Sequence, residues 1–284
     1  MSGILRRSPV GHLLLGALSV AVGGYLYAGQ TSTLPQSNAV GGRPTTKQHA
    51  KTAPTPELPV PFHVGERLDY RVAWATFSNA ASIQLAAPEK RDLFGWHTWH
   101  FQAAVHTVNP VRTLFAIDDQ FDSYTDSSSL ESRQYENYLD ELGKKESEVL
   151  HLIPTGEKPR APGSAVVVLP GTRDPLGMLY ALRVAEWQKS PEMRAPVYDG
   201  NNVYELRANL ETTADRVNVD AGTFKAQRIA IRLFQNGTEN SAIHFTLWLA
   251  NDAARTPVQI AAELPFGSLR VELTSASLQH AELR

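Results

Sequence analysis

Side chains alternate along the stretch from Leu68 to Thr76. Leu68, Tyr70, Val72, Trp74 and Thr76 fall on one face of an extended chain, and Arg67, Asp69, Arg71, Ala73 and Ala75 on the other. A period of two is what a half-buried strand requires. The pattern returns at 83–85, 96–108, 118–124, 131–138 and 146–153. After the middle of the chain it returns again at 204–210, 216–219, 224–234, 241–249, 256–263 and 267–274. Turn chemistry separates the runs: Phe77-Ser78-Asn79, Asp199-Gly200-Asn201, Asp220-Ala221-Gly222, Gln235-Asn236-Gly237 and Asn251-Asp252. Asn-Gly between two such runs is a strong hairpin signal. Short links between consecutive strands favour antiparallel neighbours. The expected fold is therefore mainly β: a curved antiparallel sheet or open barrel.

One segment keeps a different period. Asp174-Pro175 is a good helix start, with Asp as N-cap and Pro at the first helical position. Leu176, Leu179, Tyr180, Arg183, Val184 and Trp187 then recur at three- and four-residue spacing, and Ser190-Pro191 ends the run. The spacing predicts one amphipathic helix near 174–188, packed by its apolar stripe on the concave face of the sheet. Residues 155–163 read as a loop, and 165–169 as a buried strand. No internal repeat stands out.

The N-terminal part has other chemistry. Arg6-Arg7 precede an apolar, uncharged run over 10–28, close to the roughly 20 residues of a bilayer-crossing helix. The arginines place the N-terminus on the cytoplasmic side. Two readings stand side by side: an uncleaved signal anchor, or an export signal cleaved near Val22-Gly23-Gly24. Residues 29–61 are rich in Pro, Thr, Ser and Gly and lack the apolar side chains for a core, which reads as a disordered tether. The expected organisation is 1–28 signal or anchor, 29–61 tether, 62–275 a single β-rich domain, and 276–284 a C-terminal tail. The protein is then exported, periplasmic, and meets the inner membrane through 10–28.

Composition removes several functions. The 284 residues include no cysteine, which excludes thiolate metal sites, disulfides, cysteine nucleophiles and a lipid-modified cysteine. A formal charge of −2 gives no field for nucleic acid. No Gly-x-Ser-x-Gly elbow and no phosphate-binding glycine loop occurs. His97, His100 and His106 are dense, but on a strand His100 and His106 share a face while His97 opposes them, so no metal site is expected. Asp118 and Asp122 share a face, with Asp119 opposite, and read as a solvated strand face rather than a calcium loop. No cofactor and no catalytic residue is implied.

Five stretches in order resemble the exported family named domain of unknown function 3108. They are Gly65-Glu66-Arg67-Leu68-Asp69-Tyr70; Asp174 through Arg183; Asp199-Gly200 with Tyr204-Glu205-Leu206; Gly222-Thr223-Phe224; and Trp248-Leu249-Ala250-Asn251-Asp252 through Val258. The resemblance implies export and a β-rich fold, and no activity. The last stretch also resembles the closing hairpins of periplasmic lipoprotein-carrier half-barrels, which hold acyl chains. On that hint Arg183, Trp187, Tyr180, Trp248 and Arg255 are the candidate ligand-binding residues. Arg183 has a structural alternative, binding the helix C-terminus or a sheet carboxylate such as Asp252. The expectation is a noncatalytic envelope protein holding an apolar or amphiphilic ligand, or else a structural or assembly protein tethered to the inner membrane. An envelope-acting enzyme is the weakest alternative.

Overall fold

The computed structural model describes residues 56–264 and 267–278. Thirteen strands form one barrel-like sheet: β1 (Glu66–Trp74), β2 (Phe77–Leu93), β3 (Trp96–Thr107), β4 (Asp118–Asp126), β5 (Ser132–Glu141), β6 (Lys144–Pro154), β7 (Ala165–Val168), β8 (Glu192–Tyr198), β9 (Val203–Val219), β10 (Gly222–Gln235), β11 (Thr238–Ala250), β12 (Pro257–Leu264) and β13 (Gly267–Leu278). Two helices complete the described part, the single-turn α1 (Val111–Leu114) and α2 (Pro175–Val184). The spatial order is β7-β6-β5-β4-β3-β2-β1-β13-β12-β11-β10-β9-β8. Every neighbouring pair is consecutive in sequence except β1 with β13, and all pairs are antiparallel except β6 with β7.

The alternation read from the sequence is the in–out pattern of this sheet. Leu68, Tyr70 and Val72 point inward, and Phe101, Ala103 and Val105 do the same on β3. Register shifts at Asp69/Tyr70, Ala86/Glu89, Tyr124/Thr125 and Arg232/Phe234 add the local bends that curl the sheet. A short strap joins the two halves. The Thr172 carbonyl accepts from the Ser132 amide on β5 (3.1 Å), while Arg173 exchanges two backbone bonds with Pro196 and Tyr198 of β8 (3.1 and 2.9 Å).

The helix differs from its expected form. It does not present one stripe; all nine residues from Pro175 to Arg183 are buried. The curl of the sheet surrounds it, so no face is left for water. It also ends at Val184, and Trp187 sits in the turn beyond. Its start is as expected. The Asp174 side chain accepts from the Gly177 amide at 2.8 Å, and its Oδ2 takes hydroxyl bonds of 2.5 Å from Ser123 and Ser132. Burial pushes the Asp174 carboxyl up, and those donors oppose it. Gly177 lies so near the sheet that a methyl there would meet Thr125 Cγ2 at 2.8 Å and Ser132 Oγ at 2.9 Å.

Three further expectations need correction. The segment at 165–169 is not a buried strand: β7 is an edge strand, with Val167 69% exposed. An apolar run looks the same at an edge as in a core. Strand β8 was not legible, and the separate runs at 204–210 and 216–219 are one strand, β9. Of the stretch read as tether, residues 56–61 run along the sheet, where the Leu58 amide bonds the Ser127 carbonyl at 2.9 Å. The segments 1–28 and 29–55 and the chain end at 279–284 lie outside the described residues. Among the described residues no helix is long and apolar enough to cross a membrane.

Candidate functional site

Four of the five residues singled out from the sequence meet around α2. Arg183 forms a two-pronged ion pair with Glu66 of β1, at 2.6 and 2.7 Å, and a third bond to the Ala254 carbonyl at 2.9 Å. Burial works against the Arg183 charge, but the Glu66 carboxylate outweighs it and raises the guanidinium pKa. The Tyr180 ring lies parallel to Phe101 with centroids 3.6 Å apart and meets Phe62 edge-on at 4.9 Å. Trp187 donates Nε1–H to the Leu182 carbonyl at 2.9 Å. Arg255 Nη1 bonds the carbonyls of Arg183, Val184 and Ala185 at 3.2, 2.8 and 2.9 Å.

Arg255 is thus the residue that satisfies the helix C-terminus, the role the sequence offered to Arg183. Asp252 is not the partner of Arg183; it takes the Thr256 amide and hydroxyl at 3.1 and 2.9 Å. Trp248 stands apart on β11 and donates to Asp215 at 3.0 Å. The side chains of Leu176, Met178, Leu179, Tyr180, Leu182, Arg183 and Trp187 are each 2% exposed or less. The space between helix and sheet is therefore a packed core. A groove of about 360 Å³ does exist, but at Pro196, Tyr204 and Phe234, away from the helix.

The histidines do not converge. His97 pairs with Asp92, and His106 with Asp118 at 2.9 Å. Asp118 is also held by Arg112 at 2.9 and 2.6 Å, and that guanidinium, helped by His106, brings its carboxyl down to about 2. Among the described residues no group of three His, Asp or Glu side chains is placed to hold a metal.

His100 leads instead to the outward face of β3, β4, β5 and β6. The registers align three rows there: His100, Tyr124, Gln134 and His151; Gln102, Asp122, Glu136 and Val149; Ala104, Gln120, Tyr138 and Ser147. Asp122 and Glu136 are directly opposite one another, and both are buried (3% and 9% exposed). Like charges in that position destabilise a sheet unless something compensates them. The compensation is a ring of donors. Asp122 accepts from His100 Nε2 (2.6 Å), Gln102 Nε2 (3.0 Å) and Gln120 Nε2 (2.6 Å). Glu136 accepts from the Gln134 amide and from the Tyr138 hydroxyl at 2.5 Å. Burial acts to raise the Asp122 carboxyl, but the bonds from His100, Gln120 and Gln102 prevail and hold it below its ordinary value. Burial and the two carboxylates push the Tyr124 phenol up to about 12. The Tyr124 ring is stacked on His100 at 4.6 Å.

The expectation of a solvated face therefore fails for Asp122 and also for Asp119, which is 1% exposed on the opposite face. A signal for this site was present in the sequence. Gln120-Phe121-Asp122-Ser123-Tyr124 on β4 and Gln134-Tyr135-Glu136-Asn137-Tyr138 on β5 share the pattern Gln-aromatic-acid-polar-Tyr. Antiparallel pairing sets Gln120 against Tyr138 and Tyr124 against Gln134, so the repeat becomes a local two-fold centred on the two acids.

Residues 69–274 match the family described as protein of unknown function (DUF3108). No curated protein matches the chain. Among solved structures, a β-barrel-like protein of the DUF1849 domain from Brucella abortus is similar with a TM-score of 0.50 at 12% identity, over 77% of this chain and 99% of that one. A Bacteroides fragilis protein of YmcC-like fold, described as exported, has a TM-score of 0.32 at 8% identity, over 78% and 99%. A Parabacteroides distasonis protein described as a lipoprotein has 0.35 at 11%, over 77% and 97%. The Brucella likeness supports the barrel-like architecture and nothing about activity.

Proposed function

The chain belongs to the DUF3108 family, whose function is unknown, and from that premise we propose a noncatalytic domain of the bacterial cell envelope that works by recognition at the outward face of β3 to β6. The envelope location rests on Arg6-Arg7 ahead of the apolar run 10–28, as an anchor or as a cleaved export signal. The observation that carries the recognition role is the Asp122–Glu136 pair. Two buried carboxylates held opposite each other are costlier to stabilise than an apolar or neutral pair there would be. Such clusters are enriched at functional sites.

The packed interior weighs against the lipid-carrier reading. An acyl chain needs an apolar cavity, and the side chains of α2 fill the place where one would lie.

The test places a photoreactive amino acid at Val149, which is 39% exposed, neutral and opposite Glu136. A control carries it at Arg232 on β10. Cells expressing the full chain are irradiated and the adducts compared. Adducts specific to position 149 are expected; equal labelling at both positions, or none, would overturn the reading.

A further inference from the structure

The arrangement of donors at the outward face says which chemistry it accepts. His100 Nε2, Gln102 Nε2 and Gln120 Nε2 all bond Asp122, and Gln134 Nε2 and the Tyr138 hydroxyl bond Glu136. One N–H of each glutamine amide, the His100 Nε2 and the Tyr138 hydroxyl are thus committed to the two carboxylates. Much of the remaining capacity is acceptor capacity: the free lone pairs of both carboxylates and the glutamine carbonyls. Gln134 Oε1 is buried with no partner, in a residue 6% exposed. Arg91 lies over Tyr124 at 5.3 Å and is matched by Glu89 at 3.6 Å, and Arg133, stacked on Trp96 at 3.7 Å, is matched by Asp126, Glu131 and Glu157. An acceptor-rich, net negative face with a two-fold acid pair fits ammonium and guanidinium groups.

The chain itself holds such a partner. Residues 1–55 contain five basic residues, Arg6, Arg7, Arg43, Lys47 and Lys51, and no acid at all. The rest of the chain keeps 22 of the 27 basic residues against all 29 acidic ones. The described chain begins on the inward side of the sheet, where Glu57 pairs with Lys90 of β2, which lies over Trp99 at 4.3 Å. The adjacent Glu89 points to the outward side and lies 3.7 Å from His100. Arg43 is 14 residues before Glu57, a reach of roughly 46 Å when extended, enough to round the end of β2 onto the outward face. Three strand spacings, from β2 to β5, amount to roughly 14 Å.

We propose that the basic segment from Arg43 to Lys51 is an intramolecular occupant of the outward face, with its cations set against Asp122 and Glu136. This rests on the recognition role given to that face above. A tethered occupant acts at an effective concentration of about millimolar, so weak charge-assisted bonds suffice. Salt also screens the longer-range attraction that draws the basic segment to the negative face.

The experiment uses the purified full-length chain with the photoreactive residue at Val149 and no other protein present. Adducts are mapped by mass spectrometry, and mixing isotopically light and heavy chains separates contacts within one chain from contacts between two. The expected result is a within-chain adduct to residues 43–51. It should fall at least fivefold in Arg43→Glu/Lys47→Glu/Lys51→Glu, and in high salt, with the thermal melt unchanged. Adducts only between chains, adducts elsewhere, or a yield indifferent to charge reversal would overturn the proposal. The two readings fail separately: position-149 adducts to another molecule in cells, with none to 43–51 in the purified chain, sink the intramolecular occupant alone. Absence of both sinks the recognition role as well.

Discussion

The inner and outer faces of the sheet treat charge in opposite ways. Inside, Arg183 and Glu66 meet in a pair whose bonds close on each other and on the Ala254 carbonyl. Outside, Asp122 and Glu136 have the same sign, oppose each other, and depend on borrowed donors. The inner pair balances its own charge without a ligand, with only Arg183 Nε left unpartnered. The outer pair is stable but still electrostatically unbalanced. The difference teaches where to look for function in a barrel with a filled interior: on the wall.

The comparison predicts a graded set of effects. Breaking the inner pair should have the largest. Arg183→Met leaves a buried Glu66 carboxylate alone and should destabilise the fold by about 3–5 kcal/mol, read from urea unfolding. Removing both charges in Glu66→Gln/Arg183→Met should recover part of that loss. Next comes Gly177→Ala, whose methyl has no room against Thr125 and Ser132; about 1–3 kcal/mol is expected. A loss under 0.5 kcal/mol would mean that the helix is less tightly held than its burial says.

A third prediction concerns pH. Asp119 is buried, its Oδ1 takes the Asp140 amide at 2.9 Å, and burial, then the nearby Glu141, Asp118 and Asp140 charges, raise its carboxyl to about 7. A carboxyl raised on folding binds its proton more tightly in the native state. The associated stability is full below the unfolded pKa, near 4, and is lost as pH rises through about 7. Asp119→Asn should therefore flatten the fall in stability between pH 4 and pH 8 by on the order of 2 kcal/mol, allowing for solvent screening. Identical pH profiles for the two proteins would refute this.

The smallest effect belongs to the outer pair. Asp122→Asn removes a like-charge opposition along with charge-assisted bonds, so stability should move by less than about 1 kcal/mol in either direction. The position-149 adduct should nevertheless drop several-fold. A destabilisation as large as that of Arg183→Met would erase the distinction between the faces.

The sequence was informative where one physical rule acted alone. Period-two alternation located most of the strands, and Asp174-Pro175 located the start of α2, because local geometry and burial agree there. It was less informative where tertiary context decides. Pro191 and Pro196 hid β8, since proline sits in strands mainly at edges, and β8 is one. The helix looked amphipathic because Arg183 counted as polar; only its pairing with Glu66, 117 positions away, makes that residue part of the core. Four of the five candidate residues lie around α2, where they pack and cap the helix, and Trp248 stands apart on β11. The outer face escaped notice because alternating Gln, Asp and Tyr read as an ordinary wet strand. Only the register shows that the two pentapeptides lie across from each other, acid to acid.

The strand order has a consequence for how the molecule forms. β1 to β7 are laid down as one run of neighbours and β8 to β13 as another, and the single sheet contact joining the runs is β1 against β13. Each run can zip up from nearby residues, but the first strand gains its second neighbour only when the last strand exists. Formation of the full sheet must therefore await the C-terminal strand, and its slow step is expected to be that long-range closure rather than any hairpin. A chain emerging N-terminus first would carry β1 with one edge unpaired until β13 has emerged, and the few residues of β13 decide when that interval ends.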